Sequence, residues 1–351
     1  MSSRIQKWDI LKFLLMFCVV LGHFADYHAE QSDDMKSLFL FIYSFHMPLF
    51  LFVSGLFSKR MINERRWDKI LGYLVLYFFT KIMVFAYDGI FKQSFEFRLF
   101  GETGLAWFMF ALFAFGLITV GTSRFKPAYV LVFSLLLSLF AGYDNTVDSE
   151  LVLSRIIVFY PFYYAGYCID PKKLEEMSRG WWKKLLALAA LVILGWVAFN
   201  VNGVYHVRPM FTGQHPYDTL GGGEDWGGLI RLACYAVSAL ACLCIIVIIP
   251  DRLDKKGRLA RLGQYTLSVY VFHYIILKLL YNTFDMREYL AEGDMVWYIV
   301  PMALATTLLF SNKWFNMLVT KVSAIPTSAR KKKETQVDFL KNKEEIINNK
   351  L

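Results

Sequence analysis

The sequence has few charged residues and few cysteines, and each shortage excludes a class of protein. Charged residues make up 19% of its 351 residues, against about 25% in an ordinary soluble domain. With 56% hydrophobic residues and a mean hydropathy of +0.41, the chain is neither disordered nor a soluble enzyme. The five cysteines lie inside apolar blocks and form no CxxC pair. A disulfide-stapled secreted module and a cysteine metal site are therefore not expected.

Apolar blocks of about twenty residues, separated by short charged stretches, predict helices that cross a bilayer. We count ten blocks, so the expected fold class is an all-α integral membrane protein, a bundle of about ten transmembrane helices. Residues 1–320 would form the transmembrane domain, and residues 321–351 a charged, flexible cytoplasmic tail. The approximate spans are 8–28, 38–57, 70–90, 104–122, 127–142, 151–169, 184–201, 229–249, 263–281 and 296–318.

Lysine and arginine are distributed unevenly among the segments that join these blocks. Ten crossings place both termini on one side, and the segments on that side hold 27 of the 38 Lys and Arg residues. The opposite loops hold five. The positive-inside rule then predicts that both termini are cytoplasmic and that the chain crosses the plasma membrane. Topology and anionic membrane lipid account for the net charge of +9, so no nucleic-acid partner is expected.

Several ionisable side chains lie inside the predicted spans, where burial is costly and a functional role is common. Lys12 and His23 are eleven residues apart, which is about three helical turns, so they share one helix face roughly 16 Å apart. Asp9 is spaced to pair with Lys12. His46 and His273 lie in two other spans, and together the three histidines favour a polar cavity within the bundle. Each of these residues could instead have a structural role. Lys12 would then extend its charged end to the lipid headgroups, and the histidines would form hydrogen bonds across helix interfaces.

These residues belong to longer motifs that resemble the membrane-bound acyltransferase 3 family. The motifs in the first spans are Trp8-Asp9-x-x-Lys12, the ten-residue interval between Lys12 and His23, and Phe45-His46-Met47-Pro48-Leu49-Phe50 with Ser54-Gly55. Trp107-Phe108 and Leu262-Gly263-x-x-Thr266-x-Ser268-x-Tyr270-x-x-His273 match as well. Within that family the chain is most similar to the branch of fucose 4-O-acetylase and related acetyltransferases. Lys12 stands where many members have arginine.

The resemblance implies transfer of an acyl group, usually acetyl, from cytoplasmic acetyl-CoA to a sugar hydroxyl. The acceptor would be an envelope or extracellular glycan or its lipid-linked precursor, and no metal is expected. His23 would act as general base, since burial keeps a histidine neutral. Asp26 would orient its ring, unless it is simply an exposed interfacial residue. His46 and His273 would stabilise the oxyanion, hold the acceptor or orient His23.

The remaining predicted contacts are those of the donor and the sugar. Lys12 with Asp9 would bind the donor, helped by loops 58–69 and 251–262 and in particular by Arg60 and Arg65, although topology alone would explain those charges. Aromatic residues would stack on the sugar: Trp107, Phe108, and Trp226 of the external loop 202–228. That loop is either a lid or binding surface, or a flexible connector.

The residues also leave alternatives open at the level of function. Direct transfer and an acyl-histidine intermediate are both compatible with them, as is a succinyl or longer acyl donor. The alternative function is a transporter or flippase that moves a glycan precursor by means of buried His and Lys residues.

Overall fold

All regular structure in the described part of the chain is helical. The structure is a computed structural model, and it describes residues 6–91, 104–144, 146, 152–201, 203–250, 257–290 and 293–330. Seventeen α-helices lie within these ranges: α1 Gln6–His28, α2 Asp33–Tyr43, α3 His46–Leu56, α4 Lys59–Asn63, α5 Trp67–Phe91, α6 Trp107–Thr122, α7 Pro127–Phe140, α8 Leu153–Cys168, α9 Pro171–Met177, α10 Trp181–Asn200, α11 Arg208–Thr212, α12 Gly227–Ile248, α13 Arg258–Leu262, α14 Thr266–Lys278, α15 Met286–Tyr289, α16 Ile299–Phe310 and α17 Lys313–Ser323.

Six helical stretches in the described ranges are long and apolar enough to cross a membrane, and they coincide with six of the predicted spans. A seventh is formed by α16 and α17 if this pair, bent by 64°, counts as one span. The other predicted spans correspond to shorter helices: α7 with 14 residues, α8 with 16 and α14 with 13. The all-helical membrane fold is therefore confirmed, and ten crossings stay a prediction.

The second predicted span is broken into α2 and α3 at Ser44–Phe45. Pro48 lies in the first turn of α3, where proline is tolerated because the N–H it lacks would have no partner within the helix. The Ser44 hydroxyl donates to the Phe41 carbonyl at 2.7 Å, and this bond stabilises the end of α2. The break places His46 at the first position of α3 and inside the bundle.

Helix α1 occupies the centre of the bundle and contacts α2, α3, α13, α14 and α16. Around it, α3 crosses α8 at a very close distance, because each helix has a glycine at the crossing. A Cβ added to Gly55 would overlap the Tyr163 carbonyl oxygen, and one added to Gly166 would overlap the Phe52 carbonyl oxygen. This crossing fixes the position of α3 relative to α8 next to the central helix.

Helix α10 lies at the periphery and packs mainly on α12 and α2. Its outer face is both exposed and apolar, with Trp181, Leu185, Leu188, Val192 and Trp196 all accessible. An exposed apolar face of this kind suits contact with lipid and would be unfavourable in water.

The end of the described chain docks against the start of α5. Asp68 accepts hydrogen bonds from Arg66 at 3.0 Å, from the Thr327 hydroxyl at 2.9 Å and from Arg330 at 3.2 Å. Residues 325–330 form a further helical stretch at the edge of the described chain, after the seventeen helices whose bounds are given above. The remainder of the predicted tail, residues 331–351, lies outside the described residues, as do residues 251–256 of the basic loop.

Candidate functional site

One face of α1 lines a series of three internal spaces. Its side chains are Lys12, Met16, Val19 and His23, spaced at i, i+4, i+7 and i+11, the register of one helix face. Lys12 opens onto the first space and His23 onto the other two. Since α1 is unbroken from Gln6 to His28, the predicted separation of roughly 16 Å along its axis holds.

The first space, which we call the Lys12 cavity, has a volume of about 420 Å³. Lys12 and Lys69 are the basic residues among its lining, and Ser54, Ser58 and Tyr73 supply hydroxyl groups. Lys12 is paired with Asp9 at 2.7 Å, as the spacing predicted. Two cations beside several hydroxyl groups form an environment suited to phosphate.

The two arginines predicted to bind the donor lie outside this cavity. Arg60 is 82% exposed and pairs with Glu64 at 2.9 Å. Arg65 is exposed in a turn with positive φ, and neither residue lines the Lys12 cavity. Lys69, in the first turn of α5, is the basic residue of the predicted loop 58–69 that reaches the lining. The sequence carried no signal that would separate Lys69 from its basic neighbours.

The second space, the connecting pocket, is narrow and apolar. Its volume is about 20 Å³. It shares Phe50 with the Lys12 cavity, and it shares His23, Met47 and Trp107 with the third space. Phe108 lines this pocket rather than the third space. The connecting pocket thus lies between the Lys12 cavity and the His23 cavity along α1.

The third space, the His23 cavity, has a volume of about 270 Å³ and is lined by both His23 and His46. The His46 ring lies 4.5 Å from the Tyr43 ring, centroid to centroid, in an edge-on contact. His46 Nδ1 donates to the Ile42 carbonyl at 2.9 Å, across the break between α2 and α3. Because a carbonyl only accepts, Nδ1 carries the proton, and in the neutral ring Nε2 is an acceptor.

His273 lies behind His23 and does not line that cavity. The ring centroids of His23 and His273 are 5.5 Å apart. His273 is fully buried, and its Nδ1 donates to the Val269 carbonyl at 2.9 Å. Its Nε2 has no hydrogen-bond partner among the described residues. The three histidines predicted from separate spans therefore lie together, with His23 and His46 lining the same cavity and His273 packed against the His23 ring.

Two arginines line the His23 cavity, and both pack on aromatic rings. The Arg155 guanidinium lies 4.3 Å from the Trp107 ring centroid. Arg208 lies 4.6 Å from the Phe39 ring centroid and donates to Asp26 at 2.6 Å. The hydrogen-bond partner of Asp26 in the described structure is thus Arg208 and not His23.

The external loop forms part of the wall of the His23 cavity. Arg208, Phe211, Thr212 and Gln214 come from this loop, and the Gly213 carbonyl accepts a hydrogen bond from Ser154 at 2.7 Å. Trp226 is 65% exposed and lines none of the three spaces. The sequence indicated the loop, but not which of its residues reach the cavity.

The corner before α6 is held against α14 and fixes the position of Trp107. The Tyr270 hydroxyl donates to the Leu105 carbonyl. Gly104 has φ +54, and a Cβ there would collide with the Tyr274 side chain. Glycine is therefore required both by the left-handed backbone and by the close approach of Tyr274. Across the described ranges no group of three His, Cys, Asp or Glu side chains is arranged to hold a metal ion.

A bundle of apolar helices around a histidine cluster, with one cavity beside Lys12 and another beside His23, is the architecture of a polytopic membrane protein. The family model described as an acyltransferase domain, acyltransferase 3, matches residues 5–311. The chain belongs to this acyltransferase family, as its motifs predicted.

Two nodulation proteins are similar to this chain, one over most of its length and the other over about half. The nodulation protein NolL of Sinorhizobium fredii is 26% identical over 316 residues, which cover 79% of each chain. The nodulation protein NolL of Mesorhizobium japonicum is 28% identical over 218 residues, which cover 56% of this chain and 57% of that protein. No solved structure matches the chain.

Proposed function

We propose that this acyltransferase moves an acetyl group from cytoplasmic acetyl-CoA, through the bundle, to a sugar hydroxyl. The acceptor is an envelope or extracellular glycan or its lipid-linked precursor. The observation that carries the proposal is the series of three spaces along one face of α1, with cations at one end and the histidine cluster at the other. Acetyl-CoA is an extended molecule with charged phosphates at one end and the thioester at the other. Its phosphates would lie beside the cations, and its thioester beside the histidine cluster.

The donor enters at the Lys12 cavity. Lys12 and Lys69 contact its phosphates, and Asp9 holds the Lys12 ammonium in place. The thioester end passes along α1 into the connecting pocket, which brings its carbonyl carbon to His23. With both termini cytoplasmic and ten crossings of the plasma membrane, the Lys12 cavity opens to the cytoplasm. Residues 1–320 then form the catalytic membrane domain, and residues 321–351 form the cytoplasmic tail.

The reaction takes place where the connecting pocket meets the His23 cavity. His23 takes the proton from the acceptor hydroxyl as its oxygen attacks the thioester carbonyl carbon. The C–S bond then breaks, and the departing CoA thiolate receives that proton from the His23 imidazolium, which restores neutral His23. The products are the sugar ester and free CoA thiol.

The other two histidines make the same hydrogen bond, and their different positions suggest different roles for them. Both use Nδ1–H on a backbone carbonyl, so in their neutral forms neither has a donor left for an oxyanion. His46 faces the cavity and accepts a hydrogen bond from the sugar. His273 acts as a positioning residue, and its Nε2, unpaired among the described residues, is available to accept a hydrogen bond from the neighbouring His23 ring. Donors for the oxyanion must come from a different side chain, and Arg155 lines the same cavity.

The acceptor site is the His23 cavity, because its lining is of the kind that binds sugars. Tyr27, Phe39 and Trp107 provide aromatic surface, and the Asp26–Arg208 pair provides planar polar groups for hydroxyls. Aromatic faces pack on the C–H faces of a sugar ring while the polar groups hold its hydroxyls.

The test is transfer of labelled acetyl from acetyl-CoA to envelope saccharides by purified protein in nanodiscs. We expect His23→Ala to abolish transfer and still bind donor, and Lys12→Ala to raise KM for acetyl-CoA about tenfold or more. His206→Ala and Lys173→Ala are matched controls, since both residues are exposed and line none of the three spaces. Full activity in His23→Ala would make His23 structural. If the wild type neither binds nor consumes acetyl-CoA, the transporter alternative is favoured.

A further inference from the structure

One wall of the Lys12 cavity comes from the end of the described chain. Ser323, the last residue of α17, lines this cavity together with Lys69 and Gly72 of α5. A Cβ added to Gly72 would lie 2.6 Å from the Ser323 carbonyl oxygen, so the end of α17 rests directly on the backbone of α5. The family match covers residues 5–311, and this wall therefore belongs to a segment beyond the matched residues.

The body of α17 is anchored by apolar contacts on its inner face. Val319 is fully buried. The Phe315 ring lies 5.1 Å from the Phe272 ring of α14 and 5.0 Å from the Phe310 ring of α16, centroid to centroid. None of these side chains lines the Lys12 cavity. They hold α17 against the bundle, and the position of its last residue depends on the segment that follows.

The segment that follows is fastened to α5 by polar contacts. The Thr327 hydroxyl and the Arg330 guanidinium both donate to the Asp68 carboxylate, and the Asp68 side chain is only 3% exposed. Arg66 donates to the same carboxylate through two nitrogens, each at 3.0 Å. Charge-assisted hydrogen bonds to a largely buried carboxylate are stronger than ion pairs at an open surface. We call Asp68, Thr327 and Arg330 the clasp.

The clasp lies beside two residues that line the Lys12 cavity. Asp68 directly precedes Lys69 in the first turn of α5, so one residue is bonded to the clasp while its neighbour lines the cavity. Thr327 follows Ser323 by only four residues. The clasp therefore fixes the start of α5, which carries Lys69, against the end of α17, which carries Ser323. No clasp residue lines the cavity itself, so any effect on a bound donor passes through Lys69 and Ser323.

We propose that residues 313–330 are part of the donor site, and that the clasp positions Lys69 and the Ser323 wall for the phosphate-bearing half of acetyl-CoA. This inference rests on the proposed function and deepens it. A lysine binds phosphate as a point charge, and its attraction weakens as the distance between the charges grows. Thr327 and Arg330 are thus positioning residues. Their loss should weaken the contact with the phosphates and leave the thioester end, beside His23, unaffected.

The experiment compares acetyl-CoA with acetyl-pantetheine, a donor that has the same thioester but lacks the nucleotide and all phosphates. Steady-state transfer is measured for the full-length wild type and for the clasp variant, Thr327→Val with Arg330→Gln. We expect the clasp variant to raise KM for acetyl-CoA about fivefold or more and to keep kcat within twofold. Its kcat/KM for acetyl-pantetheine should stay within twofold of wild type, because this donor has no phosphate for Lys69 to contact. Arg330→Gln alone provides the same test if the clasp variant does not fold.

The matched control is Thr320→Val with Lys321→Gln. It also replaces one threonine and one basic residue of the same segment, and both residues are exposed. Neither lines the Lys12 cavity, and Thr320 donates to the Asn316 carbonyl at 2.7 Å rather than to Asp68. Its kinetics with both donors should match those of the wild type. An equal rise of KM for acetyl-CoA in the control and in the clasp variant overturns the proposal, because loss of charge alone would then explain it.

The clasp and the proposed function fail in distinguishable ways. An unchanged KM for acetyl-CoA in the clasp variant, or an equal loss with both donors, overturns the role of the clasp and leaves the acyltransferase intact. If the wild type transfers no acyl group at all, the proposed function fails, and the Kd for CoA, measured by calorimetry, then decides the clasp. Binding of CoA that is about fivefold weaker in the clasp variant supports it. Equal binding, or no binding of CoA by the wild type, contradicts it.

Discussion

At the scale of single residues, the histidine cluster is distinguished by its backbone hydrogen bonds. His46 and His273 each donate Nδ1–H to the carbonyl four residues earlier, Ile42 and Val269. The two rings thereby have the same tautomer, with Nε2 as acceptor, but they occupy different positions. His46 lines the His23 cavity, whereas His273 is sealed behind His23. Their roles in our proposal differ for this reason, although sequence alone gave no means of separating them.

Two substitutions at His273 separate positioning from a merely structural role. Glutamine keeps a polar atom where Nε2 lies, and asparagine keeps a donor where Nδ1 lies. If Nε2 of His273 holds the His23 ring, His273→Asn should lower kcat about 100-fold, and His273→Gln should retain about a tenth of wild-type kcat. KM for acetyl-CoA should stay within twofold in both variants, as measured by steady-state transfer.

The opposite order of the two variants would assign His273 a different role. Higher kcat in His273→Asn than in His273→Gln would mean that the bond to Val269 is what matters, and that His273 only supports α14. His206→Asn is the matched control, since His206 is exposed and does not line the His23 cavity. It should have wild-type kcat and KM.

At the scale of helices, the relative position of α3 and α8 depends on two glycines. α3 carries His46 and α8 carries Arg155, and both residues line the His23 cavity. An added methyl group at Gly55 or Gly166 collides with backbone atoms, which cannot rotate away as a side chain can. The crossing therefore connects the packing of the bundle to the geometry of the site.

We expect Gly55→Ala and Gly166→Ala each to destabilise the protein by about 1–3 kcal/mol, because the two helices must separate. The loss should exceed the gain in helix propensity of up to about 1 kcal/mol that alanine brings. Gly121→Ala is the control, since Gly121 lies near the end of α6 with nothing within 4 Å of the added Cβ. Thermal unfolding in detergent measures all three, and a melting temperature for Gly55→Ala equal to that of Gly121→Ala would contradict the argument.

The local hydrophobic pattern predicted the helices well where a span is one regular helix. It failed where contacts with distant parts of the chain determine where a helix breaks or ends. The helix face shared by Lys12 and His23 followed from periodicity alone, and α1 has it. The break at Ser44–Phe45 was not predicted, although Pro48 is a local signal for a helix start. The short helices α7, α8 and α14 are recognisable as apolar blocks, but their lengths depend on their neighbours.

Across the whole molecule, the cavities combine residues that are far apart in the sequence. The His23 cavity takes Asp26 from α1, Arg155 from α8 and Arg208 from the external loop. The pairing of Asp26 with Arg208 spans 182 positions. No periodicity in one sequence encodes such pairings, so Arg208 and Lys69 were not predicted as site residues, while motif resemblance did indicate the histidines. The orientation of the bundle in the membrane is the other property of the whole molecule, and the distribution of charge predicts it.

The distribution of charge predicts which cavity faces the cytoplasm, and accessible cysteines can measure it. Segments on the side of the termini hold 27 of the 38 basic residues, against five in the opposite loops. In a variant with all five native cysteines replaced, we would introduce Arg60→Cys or Trp226→Cys, at sites that are 82% and 65% exposed. A membrane-impermeant maleimide should label Trp226→Cys in intact cells, and Arg60→Cys only after permeabilisation. Activity with acetyl-CoA in each background controls for folding. Labelling of Arg60→Cys in intact cells would mean that the Lys12 cavity opens on the side of the membrane opposite to cytoplasmic acetyl-CoA. The proposed direction of transfer would then be wrong.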